Sequence, residues 1–162
     1  VNTKSETLKK ITPKERRLIM GTQQILLIVL SVIIVGVAIA VGISMFNSQS
    51  YNSNKTAIAS DAQSFATQAV QYYKTPESQG GAGGKAANMT QTKVSAFLSF
   101  DPTTFKTSNE NGGYTITATD SVHVEITGVG TAKKSNKNPQ VITTVALPEG
   151  TVTAAASDVA AP

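Results

Sequence analysis

From Ile25 to Phe46 the chain reads ILLIVLSVIIVGVAIAVGISMF. These 22 residues carry no charge, and only Ser31, Gly36, Gly42 and Ser44 interrupt the apolar side chains. At about 1.5 Å per residue, a helix of this length spans roughly 33 Å, enough to cross the hydrocarbon core of a bilayer. A soluble core helix is rarely apolar on every side for so long. The stretch therefore predicts a membrane-spanning or similarly water-excluded helix. A secretory h-region would be shorter, and Met45-Phe46-Asn47 lacks the small residues of a signal cleavage site.

Charge is distributed unevenly around this stretch. The 162 residues include 14 Lys and Arg and 10 Asp and Glu. Residues 1–21 hold six of the bases (Lys4, Lys9, Lys10, Lys14, Arg16, Arg17) and two acids (Glu6, Glu15), so the formal charge of +4 sits there. The remaining residues balance to zero. Basic residues on the N-terminal side alone place the N-terminus in the cytoplasm and the C-terminal part outside. A nucleic-acid partner is not expected, because its recognition needs bases clustered on the folded domain. Absence of Cys excludes disulfides, thiolate zinc sites and thiol catalysis, and the single His123 excludes a multi-histidine metal site.

Beyond Phe46 the helical pattern continues. Ile58, Ala62, Phe65, Ala69 and Tyr72 follow at spacings of three and four, which puts them on one helix face. A continuous helix from Thr22 to Lys74 is predicted, stopped before Pro76. Asn47–Lys55 is polar, with Tyr51 its only apolar landmark, and is where such a helix would break. Residues 79–84 (QGGAGG) read as a flexible joint. Val94, Phe97, Leu98, Phe100 and Phe105 are core anchors in a mixed segment, and Asp101-Pro102 reads as a turn.

Further on the period changes to two. Tyr114–Thr119, Val122–Thr127 and Val141–Leu147 alternate apolar with polar residues, as half-buried strands do. Lys133–Pro139 (KKSNKNP) reads as a polar hairpin loop. A short strand is expected at Thr151–Ala154 and a loose tail over 155–162. The fold expected is α+β: a long N-terminal helix, apolar then amphipathic, with a small antiparallel sheet packed on its second half. Ile58, Phe65, Ala69 and Tyr72 supply the helix-to-sheet contact. The chain divides into a basic leader (1–21), an apolar membrane or filament-core helix (22–46), an amphipathic extension (47–75) and an extracytoplasmic β-domain (76–162).

A basic leader, Gly21, an apolar helix, an amphipathic extension and a small antiparallel sheet together resemble a type IV pilin or pseudopilin. In that family a prepilin peptidase cuts after a glycine that follows basic residues. Arg16-Arg17-Leu18-Ile19-Met20-Gly21 followed by Thr22-Gln23-Gln24 is similar to that junction, so the resemblance implies processing between Gly21 and Thr22. The family usually carries Glu five residues after the cut; here that position is Leu26. The resemblance implies a non-enzymatic subunit of an extracellular filament, handled by the peptidase and the pilus assembly machinery and held in the inner (cytoplasmic) membrane as a precursor. The partners implied are other copies of the chain and, before assembly, the membrane; no cofactor is implied. Pseudopilin of a secretion system and single-pass membrane-anchored binding domain are the alternative readings.

The physics of assembly is independent of the name. Ile25, Leu26, Ile28, Val29, Ile33 and Ile39 would bury against neighbouring helices, and Gly36 and Gly42 permit close approach. Glycine also weakens a helix, so local melting around Gly36–Gly42 is expected in a filament. A rotation between subunits that does not close makes an open fibre.

Other residues carry weaker signals. His123 beside Glu125 reads as a solvated strand residue, and Asp101, Asp120 and Glu125 lack calcium-loop spacing. The glycines of 80–84 lack the Gly-Lys-Ser/Thr ending of a phosphate loop. Asn54-Lys55-Thr56 and Asn88-Met89-Thr90 match the N-glycosylation pattern.

Overall fold

The computed structural model describes residues 13–120 and 122–161. Most of the basic leader lies outside them. The described residues form two compact units, one ending at Met45 and the other starting at Phe46.

Helix α1 runs Pro13–Lys74. Within the first unit every side chain from Thr22 onward is exposed. No break occurs through residues 30–45 of the single chain. Ser31 is accommodated by donating its hydroxyl to the Leu27 carbonyl one turn back, at 2.7 Å.

The second unit is built on the rest of α1. Short 3₁₀ turns at Glu77–Gln79 and Ala86–Asn88 lead to α2 (Gln91–Phe97), capped by the Thr90 side chain. Five strands follow: β1 (Lys106–Ser108), β2 (Gly112–Thr119), β3 (His123–Gly130), β4 (Lys137–Ala146) and β5 (Thr151–Ala160). They form one antiparallel sheet in sequence order, β1-β2-β3-β4-β5. The fold is α+β, a long helix with a five-stranded antiparallel sheet packed against it.

The core lies between one sheet face and the helix. Tyr114 and Ile116 of β2, Val124 and Ile126 of β3, and Val141 and Val145 of β4 alternate inward. They meet Ile58, Ala66, Ala69 and Tyr72 of the helix. Small side chains at Ala62, Ala66 and Ala69, all fully buried, let the sheet approach closely. Phe65 fills the space beside them, edge-on to Phe100 (centroids 4.9 Å) and to Tyr114 (5.2 Å). Val94, Leu98 and Phe100 are buried as expected, whereas Phe97 is 40% exposed and lies against Tyr72.

Several expectations need correction. The polar Asn47–Lys55 stretch is not a break: α1 runs on through it, with Tyr51 buried, Asn54 donating to the Asn111 carbonyl in the turn before β2, and Lys55 reaching Asp158 of β5. The flexible joint at 79–84 is a folded cap. The last carbonyls of a helix lack partners within it. Here Tyr72, Tyr73 and Thr75 carbonyls accept from Ala82, Gly84 and Gly83. Gly81 is needed because a Cβ there would collide with the Thr75 backbone.

In place of a short strand at Thr151–Ala154 and a loose tail over 155–162, one ten-residue strand runs Thr151–Ala160, paired with β4 from Thr151↔Ala146 to Ala160↔Lys137; the end of the expected tail, Pro162, lies outside the described residues. Its alanines gave no alternating signal, but backbone pairing does not require one. The polar loop is shorter than expected: Ser135 and Asn136, both at positive φ, make the turn, and β4 already begins at Lys137. Three-residue β1 had no recognisable pattern of its own.

Pro139 sits inside β4, between two neighbours. Leu147 donates to Val122, and bonded pairs alternate along an antiparallel ladder, so Pro139 faces β3 at Gly130. Proline has no N–H to offer the Gly130 carbonyl. The preceding residue repairs this: Asn138 Nδ2 donates to that carbonyl at 2.7 Å.

Candidate functional site

The candidate surface is the apolar stretch of α1. Ile25, Leu26, Ile28, Val29, Ile33 and Ile39 all keep 49% or more of their surface in solvent. A Cβ built on Gly36 or Gly42 would touch nothing within 4 Å, so both are bare notches. The best 18-residue window has a mean hydropathy of 3.2 and none of it is buried. By length and composition this helix is able to cross a membrane. Gly21 and Thr22 lie within the helix.

The second unit holds the amphipathic extension firmly. Ile58, Ala69 and Tyr72 are buried in the core, and Phe65 is partly buried against it, as their spacing predicted. Two carboxylates that sequence reasoning did not single out add polar clamps. Asp61 on α1 accepts three hydrogen bonds at one oxygen, Oδ2: from Tyr114 (2.6 Å), Asn109 (2.8 Å) and Asn111 (2.8 Å). Burial would raise its pKa, but the bonds from Asn111, Tyr114 and Asn109 outweigh it and hold the carboxyl below its ordinary value. Burial, and then the same contact, push the Tyr114 phenol well up.

Asp158 on β5 is the counterpart. Its Oδ1 accepts from Tyr51 (2.6 Å) and Lys55 (3.2 Å) of the helix. The Tyr51 and Lys55 hydrogen bonds lower its pKa, while burial and then the Asp158 contact push Tyr51 up to about 12. The signals for these clamps were faint: an acid beside the apolar seam, and an Asn-Glu-Asn-Gly turn.

Both asparagines of the glycosylation pattern are occupied by the fold. Asn54 Nδ2 donates to the Asn111 carbonyl (2.7 Å) while its Oδ1 accepts from Ala132 (3.2 Å). Asn88 Nδ2 donates to Glu77 (2.7 Å) and to the Ala82 carbonyl (3.1 Å), and Lys93 donates to its Oδ1. In the folded chain both side-chain amides are engaged in these contacts.

The remaining polar candidates act locally. Asp101 accepts from the Thr103 and Thr104 amides, forming the expected turn. Asp120 accepts from Val122 and His123. His123 is exposed at the start of β3, its Nδ1 3.5 Å from Asp120. Among the described residues no group of three His, Asp or Glu side chains is placed to hold a metal ion.

Compared with known proteins, the chain matches no family model, no curated protein and no solved structure.

Proposed function

We propose that the chain is a non-enzymatic structural subunit of a type IV pilus-like extracellular filament. The precursor sits in the cytoplasmic membrane with its N-terminus inside. Cleavage between Gly21 and Thr22 releases a subunit whose apolar helices pack together as the filament core, with the sheet domain outside. One observation carries the reading: an all-round exposed apolar helix continues, within one helical element, into a segment clamped to a folded domain. Each large apolar side chain left in water forgoes about 1.5–3 kcal/mol, so the segment needs a lipid or helical environment. The zero net side-chain charge of residues 22–162 lets many copies stack without accumulating repulsion.

The second reading, a plain single-pass anchor for an extracytoplasmic domain, is favoured by Leu26, which stands where the resembling family usually has Glu. Mass spectrometry of the native N-terminus separates the two. A chain beginning at Thr22, with fibres in negatively stained sheared surface material, supports the filament. A chain that keeps Lys4–Arg17 and stays in the membrane fraction without fibres refutes it.

A further inference from the structure

The sheet has two edges of unlike character. β1 is three residues long and carries Lys106, a common way to blunt an edge. β5 is ten residues long and, among the described residues, pairs only with β4. It has no Pro, no Lys and no bulge, and its one charge, Asp158, is engaged by Tyr51 and Lys55 of its own chain. Natural edges rarely stay so long and unguarded.

The free backbone groups can be assigned. Ala161 donates to the Asn136 carbonyl and Gly150 to that of Ala146, so even-numbered residues of β4 face β5. The odd-numbered residues of β5 complete those bonds. The N–H and C=O groups of Val152, Ala154, Ala156, Asp158 and Ala160 therefore point to the open side. The same residues face the helix side of the sheet, yet Ala154 and Ala156 remain exposed. Beneath them lies a groove of about 470 Å³, walled by Lys55, Thr56 and Ala59 of the helix and by Val141. No side chain on this edge has the bulk to hold a second strand away.

We propose that β5 is a self-pairing edge: two copies of the chain join β5 to β5, antiparallel about a two-fold axis at Ala156. A second copy fits for three reasons. Both edges present the same five donor–acceptor groups, so lengths match. The register sets Asp158 against Ala154 and Val152 against Ala160, so no like charges meet. Residues 22–162 carry no net charge, so approach of two such domains is not opposed. The contact is isologous and closed; it pairs two chains and does not propagate. In the filament proposed above it would join neighbouring filaments side by side, but it does not depend on that reading.

The chain has no cysteine, so single-cysteine variants of the full chain test the register directly. In detergent micelles, Ala156→Cys places two thiols opposite each other at the axis, within disulfide reach. Thr151→Cys places them roughly 33 Å apart. Mild oxidation should yield disulfide dimers at least about tenfold faster for the first. Adding Ala154→Pro to Ala156→Cys removes an outward N–H and no bond to β4. It should slow cross-linking about tenfold or more while leaving the thermal midpoint within a few degrees. Equal rates at 151 and 156, as collision through the apolar helices would give, overturn the proposal. So does cross-linking at 156 that Ala154→Pro leaves unchanged. Neither outcome bears on whether filaments form, which the N-terminal mass and the microscopy decide.

Discussion

Removing the Asp61 carboxylate tests how the helix and the first hairpin are joined. Asp61→Ala deletes an acceptor shared by Tyr114, Asn109 and Asn111. The Tyr114 bond is charge-assisted, short and belongs to a fully buried residue, worth about 1.5–3 kcal/mol. The two asparagine donors lie at the turn, where water can replace the carboxylate, and add about 0.5–1 kcal/mol each. The expected loss is about 3 kcal/mol. Tyr114→Phe alone should cost about 1.5 kcal/mol, and the double variant should show about 1 kcal/mol of coupling. The measurement is denaturant unfolding of the full chain in micelles, followed by near-UV circular dichroism of the tyrosines. The folded pKa of Asp61 lies below the unfolded one. Its contribution is therefore present above the unfolded value, near pH 4, and lost as pH falls through the folded value. Asp61→Ala should flatten that part of the acid profile. A loss below about 1 kcal/mol, or one that stays the same at pH 7 and pH 2, refutes the clamp.

Gly130→Ala should destabilise by about 2 kcal/mol or more in the same unfolding measurement, because the new methyl meets Asn54 Oδ1 and lies 2.7 Å from Pro139 Cγ. Tyr51 should ionise near pH 12 in an ultraviolet titration, and Asp158→Asn should lower that value. Because its folded pKa is raised, the Tyr51 contribution holds below pH 10 and is lost as pH rises through about 12. Ile33→Lys should impair membrane insertion, at a cost of about 2.5–3.5 kcal/mol at the helix centre, visible as loss from the membrane fraction.

The helix and its buried face were legible because they repeat: one 22-residue uncharged run, then five residues at helical spacing. Tyr114–Thr119 and Val141–Leu147 were legible for the same reason, at period two. What escaped was held by the backbone or by single contacts at long range. β5 is mostly Thr, Ala and Val with no clean alternation, and it is a strand because β4 offers a ladder to complete. The 79–84 glycines suggest mobility by composition, yet they are ordered by carbonyls that a helix end leaves unsatisfied. The Asp61–Tyr114 contact joins residues 53 positions apart, and no local pattern marks such a pair.

The Asn138-Pro139 pair carries an evolutionary consequence. Pro139 withholds a donor and Asn138 supplies one, so the two substitutions are not interchangeable in order. Replacing Asn138 first strands a buried carbonyl, at a cost of about 1–3 kcal/mol. Replacing Pro139 first restores a backbone donor and releases Asn138 to vary. Of the two mutational paths away from this dipeptide, only the one that begins at proline avoids a valley. A lineage that acquired the proline would therefore keep the asparagine before it for as long as the proline remained.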